Sequence, residues 1–322
     1  MGKVCVVTDI DTPSFSSVAK YIADEFKIDI IDVKNMEKVK EYDKVLFFWW
    51  YHDTAFRYLS TLLKYNDNVI FYFTIEHIPY IHRKFSEMLD NVKKIAVSKL
   101  WLSIVKTYGV EIRNVVDVIP HFVPSNFTVN TRQYSVFHVR LCTVTSSSPR
   151  KGVENIIKLA RMLKKSGVHF TWYVICSDDA FPLLYHYYCY NIKAINRLPT
   201  LNYKQLLKNI DIYVCTSYTE GFGLPLLEAS LSKCVVVAPS LPTVIEYNLA
   251  DVIVPTTEPH LVYDVRHMVH YIMFDYDVND MFNAILEAIQ IIREDIGRVW
   301  NRTLKLCQLI AEVKRRLARW LR

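Results

Sequence analysis

Glycine is scarce in this chain, with seven in 322 residues, and none falls in the DTPSFSS segment after the first apolar run. No GxGxxG string follows that run, which argues against a nicotinamide-dependent oxidoreductase. Cysteine is present but unorganised: the seven residues at 5, 142, 176, 189, 215, 234 and 307 are odd in number and contain no CxxC. Buried, reduced thiols are therefore expected rather than disulfides or a metal cluster. HExxH and paired Cys/His spacings are also missing, so no metal is expected from those motifs. The longest apolar runs, such as Val45–Tyr51, fall far short of the ~20 residues that span a bilayer. Asp9 and Asp11 arrive too early for a secretory apolar region, and Val6 stands where a myristoylation signal needs Ser or Thr. A soluble, cytoplasmic protein is the expectation. No internal repeat or low-complexity tract interrupts the chain.

What remains is an ordinary globular composition, 51% hydrophobic and 22% charged, and enough chain for two domains at ~150 residues each. Lys and Arg number 39 against 33 Asp and Glu, a formal charge of +6. That balance suits an anionic ligand but is too mild to indicate nucleic acid, and none is expected as a partner.

Short apolar runs alternate with amphipathic stretches. Lys3–Thr8, Ile28–Val33, Lys44–Trp50 and Asn68–Thr74 read as strands, and Ser16–Phe26 as a helix. A second cycle begins near Tyr134 with HVRLCTV, a helical stripe at 153, 156, 157, 160 and 163, and the strand TWYVICS. A Tyr-rich helix over 182–190, a short helix over 203–208, the strand DIYVCTS, a helix from Pro225 and the strand CVVVA follow. Runs apolar at every position fit strands covered on both faces, so two α/β halves with parallel sheets are predicted. Pro124–Gln133 reads as the linker, giving domains over 1–130 and 131–300, with a basic helix over 301–322. Ligands of such sheets bind beyond the strands' carboxyl ends, so a cleft between the halves is expected there. The final AEVKRRLARWLR is amphipathic, with Lys314, Arg315, Arg316, Arg319 and Arg322 on its wet side. It allows peripheral contact with an anionic membrane, aided by Trp320.

The chemistry concentrates in SYTEGFGLPLLE, residues 217–228. A strand ends, a turn carries Gly221 and Gly223, and Pro225 opens a helix whose free amides and dipole suit a phosphate. Glu220 and Glu228 frame that turn, and a carboxylate accepts well from two vicinal sugar hydroxyls. Arg150 and Lys151 precede the Val153 helix, where cations oppose the dipole at up to about 1 kcal/mol each unless an anion lies between them. His77 follows the strand NVIFYF and is expected to face the cleft, while His121 lies near the linker.

EGFGLPLLEA, spanning Glu220 to Glu228, resembles the E-x7-E motif of the retaining GT-B glycosyltransferases of family 4. Segments 96–123, 150–163 and 235–246 agree with that family in order and spacing. The resemblance implies two Rossmann-like domains with a cleft between them, the acceptor side first and the donor side second. It also implies that the last helix returns to the first domain. The donor would be a nucleotide-diphosphate sugar of UDP or GDP type, with no other cofactor. Arg150 and Lys151 would hold its diphosphate and Glu228 its ribose, while Glu220 with Gly221, Phe222, Gly223 and Leu224 would contact sugar and phosphate. His77 matches the family's histidine near the sugar, so Glu220 and His77 are the catalytic candidates. The sequence departs from the family at Val144-Thr145, where a Gly-Arg pair is usual, at His121-Phe122 for Asn-Gly, and at Leu241-Pro242 for Gly-Gly. The reading is a metal-independent, retaining hexosyl transfer to an acceptor that is a glycan, a lipid-linked sugar or a protein. Its alternatives are a non-catalytic nucleotide-sugar or glycan binder with a degenerate GT-B site, and a metal-dependent transferase using Asp9–Asp11 or Asp275–Asp277.

Overall fold

The structure is a computed structural model that describes residues 2–124, 127–129, 131–185, 190–196 and 199–322. The chain divides into two compact units. Unit 1 is Met1–Pro124, Val265–His270 and Gln308–Arg322, and unit 2 is Ser125–Asp264 and Tyr271–Cys307. The division falls at 124/125 and the return at 308, beside the expected boundaries at 130 and 301, and unit 1 also takes in 265–270. Within the expected linker, 125, 126 and 130 lie outside the described residues.

Unit 1 runs β1 (Val4–Thr8), α1 (Pro13–Phe26), β2 (Asp29–Asp32), β3 (Lys44–Trp50), α2 (Asp53–Leu62), β4 (Val69–Thr74), β5 (His77–Ile78), α3 (Ser86–Asn91), β6 (Lys93–Ala96), α4 (Lys99–Thr107) and β7 (Val115–Val118). Six of these strands form one parallel sheet in the order β2-β1-β3-β4-β6-β7. Every residue of β4 is buried, as an unbroken apolar run demands when helices cover both faces. Phe47 and Phe71 stack across neighbouring strands with centroids 5.3 Å apart. The strand order reverses direction between β1 and β3, so the loops after those two strands flank this sheet's ligand position.

Unit 2 repeats the scheme with β8 (Val139–Thr145), α5 (Val153–Lys165), β9 (Phe170–Cys176), α6 (Phe181–Tyr185), β10 (Ile192–Asn196), α7 (Thr200–Leu207), β11 (Ile212–Val214), α8 (Leu224–Leu231), β12 (Val235–Pro239), α9 (Pro242–Tyr247) and β13 (Val252–Val254). Its parallel sheet has the order β10-β9-β8-β11-β12-β13, in which direction reverses between β8 and β11. The Tyr-rich helix expected over 182–190 is α6, and residues 186–189, with Cys189, lie outside the described residues. Trp172 fills the centre of the core, and its indole N–H donates to Thr143 Oγ1 at 3.0 Å.

Beyond β13 come β14 (His260–Asp264), β15 (Val269–Met273), α10 (Val278–Glu294) and α11 (Ile296–Leu321). α11 begins well before the predicted basic segment. In unit 2 its Arg302 forms a buried ion pair with Asp251 at 3.1 Å, both side chains at most 3% exposed. Cations placed on the wet side of this helix are partly otherwise engaged in unit 1: Lys314 pairs with Glu25 at 2.6 Å and Arg316 with Asp117. The Trp320 indole N–H donates to Asp117 Oδ2 at 3.0 Å, leaving Arg315, Arg319 and Arg322 as the exposed cations. No helix among the described residues is long and apolar enough to cross a membrane.

Candidate functional site

In unit 2 the loops after β8 and β11 meet at the point where strand order reverses. The first ends in a single 3-10 turn, Pro149–Lys151, and then Gly152, which N-caps α5 in the left-handed region at φ +57°. A Cβ on Gly152 would lie 2.3 Å from the carbonyl oxygen of Thr216, so glycine is required both by backbone conformation and by the closeness of the second loop. The Tyr218 amide donates to Arg150 O at 2.8 Å, and Thr216 Oγ1 donates to Lys151 O at 2.9 Å. Arg150 and Lys151 thus project from a backbone stitched to the loop that carries Glu220. Val144 and Thr145, which stand where the related family has Gly-Arg, are the last residues of β8 and pair with Ile175 and Cys176.

Lys151 Nζ forms an ion pair with Glu220 Oε1, the two side chains being 16% and 13% exposed. The same carboxylate oxygen accepts from Ser217 Oγ at 2.7 Å. Burial alone would raise the Glu220 carboxyl, but the charges of Lys151 and Arg150 and the two hydrogen bonds outweigh it and hold Glu220 below its ordinary value. The Arg150 guanidinium lies over the Tyr271 ring, 5.4 Å from its centroid. Gly221, Phe222 and Gly223 are buried, and Phe222 packs on Tyr247 at 5.7 Å. Gly223, at φ +85°, N-caps α8, so Leu224 sits at the positive end of that helix's dipole.

Glu228 lies one turn further along α8 and is buried. Burial first, with Tyr213 and then Glu228, raises the Tyr203 phenol, which places the Glu228 carboxylate in that neighbourhood. Unit 2 therefore brings together Arg150, Lys151, Glu220 and the Gly221–Leu224 backbone, with Glu228 one turn along the helix that follows.

His77 belongs to unit 1. It is buried in β5, with its ring 5.5 Å from that of His52. His52 caps α2, accepting at Nδ1 from the Thr54 amide at 3.2 Å, and burial lowers its imidazole despite Asp53. His121 is core: its Nδ1 pairs with the Tyr72 hydroxyl at 2.7 Å, and burial pushes it down to about 3. Asp9, Asp11 and Asp32 converge within 4.8 Å at the carboxyl ends of β1 and β2. Asp11 is paired with Lys34, and Asp9 accepts from Thr12.

The sequence reading missed Ser217 as a partner of Glu220, and it missed Asn155 and Tyr276. Asn155 donates to the hydroxyls of Tyr218, at 2.8 Å, and Tyr276, at 3.0 Å. The only sequence-level signal was a polar residue next to the apolar stripe of α5.

The fold matches solved structures along nearly its whole length. The chain is similar to HepE of Anabaena, solved with UDP and glucose, at 14% identity, with 99% of each chain covered and a TM-score of 0.70. Sucrose-phosphate synthase of Thermosynechococcus elongatus aligns at 11% identity over 99% of this chain and 98% of that one, with a TM-score of 0.71. WaaG, a glycosyltransferase involved in lipopolysaccharide biosynthesis, aligns at 12% identity over 99% of each chain, with a TM-score of 0.65. No curated protein matches the sequence. Two Rossmann-like α/β domains of this kind are the GT-B fold, and residues 139–260, which include Arg150, Lys151, Glu220, Gly221–Leu224 and Glu228, match the family model described as "Glycosyl transferases group 1".

Proposed function

We propose that this protein transfers a hexose from a nucleotide-diphosphate sugar, of UDP or GDP type, to an acceptor hydroxyl, with retention and without a metal. The observation that carries this reading is the convergence of Lys151, Arg150 and Glu220 beside the N-terminus of α8, inside the segment that matches the family model. A diphosphate takes the place of Glu220 at the Lys151 ammonium, with Arg150 and the amides around Gly223 completing its shell. Glu228 holds the ribose and Glu220 turns to the sugar hydroxyls. His77, on the acceptor domain, is the second catalytic candidate. When the anomeric C–O bond breaks, charge grows on the leaving diphosphate, where these cations and amides are already in place. The acceptor oxygen bonds to the anomeric carbon on the same face, and its proton passes to the departing phosphate oxygen. No second carboxylate is assigned as a nucleophile, so a double displacement is not proposed.

The test is transfer or donor hydrolysis over a panel of UDP-, GDP- and ADP-sugars, with the product anomer read by NMR. Glu220→Ala abolishes turnover on this account, and wild-type turnover in that variant contradicts it. One observation favours the second reading, a binder without turnover: Lys151 is already neutralised by Glu220. Donor binding with neither transfer nor hydrolysis selects it. Peripheral membrane contact, if made through α11, falls on Arg315, Arg319 and Arg322. Flotation with anionic vesicles, lost when the three are replaced by Gln, tests that part.

A further inference from the structure

Asn155 is the polar member of the buried face of α5, among Ile156, Leu159, Ala160 and Leu163. A buried amide must find partners, and a Leu there would continue the apolar face without needing any. Asn155, 1% exposed, instead donates both N–H groups, to Tyr218 Oη at 2.8 Å and to Tyr276 Oη at 3.0 Å. Tyr276 in turn donates to Thr216 O at 2.8 Å. The two rings lie tilted against each other with centroids 5.3 Å apart. Around them the Tyr218 amide reaches Arg150 O at 2.8 Å, and the Phe274 amide reaches Tyr218 O at 2.9 Å. Arg150, Asn155 and the 274–276 segment are therefore all tied to residues 216–218, two residues before Glu220.

We propose that Asn155 and Tyr276 are positioning residues for the donor site: they fix the path of 216–218 so that Ser217 and Lys151 meet the Glu220 carboxylate in one geometry. They touch no substrate and act through the loop. The proposal rests on the donor-site reading for its effect on turnover, but not for its effect on the loop. A chain of hydrogen bonds that ends on backbone carbonyls sets a position more narrowly than apolar packing does.

The experiment uses the full chain with Asn155→Leu and Tyr276→Phe, the second keeping the ring and losing only the hydroxyl. Three quantities are measured: hydrogen exchange of the Tyr218 and Phe274 amides, UDP affinity, and kcat and KM with the best donor of the panel. Exchange at those two amides rises at least tenfold while β8 and β9 stay protected. UDP affinity changes less than threefold, and kcat falls at least tenfold with a smaller change in KM. Exchange and kcat within twofold of wild type, with only the thermal midpoint lowered, overturns the proposal. If Asn155→Leu fails to fold, Tyr276→Phe decides alone. Faster exchange in a protein whose wild type neither binds nor turns over any donor overturns the donor reading and leaves the positioning of the loop standing.

Discussion

The two sheets share an architecture and differ in the chemistry at their carboxyl ends. Where strand order reverses in unit 2, the loops carry Arg150, Lys151 and a helix start, with Gly152 letting the two backbones touch. At the equivalent reversal in unit 1, the loops after β1 and β3 carry Asp9, Asp11 and His52 and no glycine, with Asp53 opening α2 and the half-buried Trp50 ending β3. The first set suits a dianion. The second repels one, and it offers acceptors and ring faces of the kind that hold neutral, hydroxyl-rich groups. One architecture thus presents two kinds of chemistry, and loop residues rather than strands decide which.

Removing the cation of unit 2 is expected to have the largest effect. Lys151→Ala lowers transfer by about 10²–10³-fold, as loss of one preorganised charge does, and leaves the partly buried Glu220 without its counter-charge. Steady-state rates with a saturating donor check this. Next comes the contact that joins the two loops. Gly152→Ala forces a side chain to φ +57° and into Thr216 O. It should cost about 1–3 kcal/mol, read as a thermal midpoint lower by several degrees, whereas Gly109→Ala, with nothing near its Cβ, should cost less. A smaller effect belongs to unit 1. His121 is buried and neutral, its pKa pushed down to about 3. Such a base favours folding fully above its unfolded value of ~6.5 and loses that contribution as pH falls below it, by up to ~1.4 kcal/mol per pH unit. Denaturation midpoints between pH 7 and 5 should fall for the wild type and stay flatter for His121→Asn. The smallest effect is none: chelator treatment leaves turnover unchanged, and restoration by manganese of a lost rate would instead point to Asp9, Asp11 and Asp32.

The unit 2 loop was legible in the sequence because its parts are contiguous. Strand, glycine turn and helix start fall within SYTEGFGLPLLE, and each has a local physical cause. The alternation of apolar runs likewise marked the sheet strands through β4. What escaped depends on partners distant in the chain. Tyr276 is 121 residues from Asn155, and Asp117 is 199 from Arg316, so no window of sequence shows that those groups meet. For the same reason the basic face of α11 read as wholly wet, although Glu25 and Asp117 take two of its cations. β14 carries exposed Leu261 and Tyr263 among polar residues, so its sequence gave no clear apolar signal.

Calorimetric titration of UDP and GDP into the wild-type protein and Lys151→Ala tests the central claim most directly. The account predicts saturable binding of one nucleoside diphosphate by the wild type and affinity at least tenfold weaker in the variant. Equal affinity in the two proteins, or binding by neither nucleotide, would contradict it.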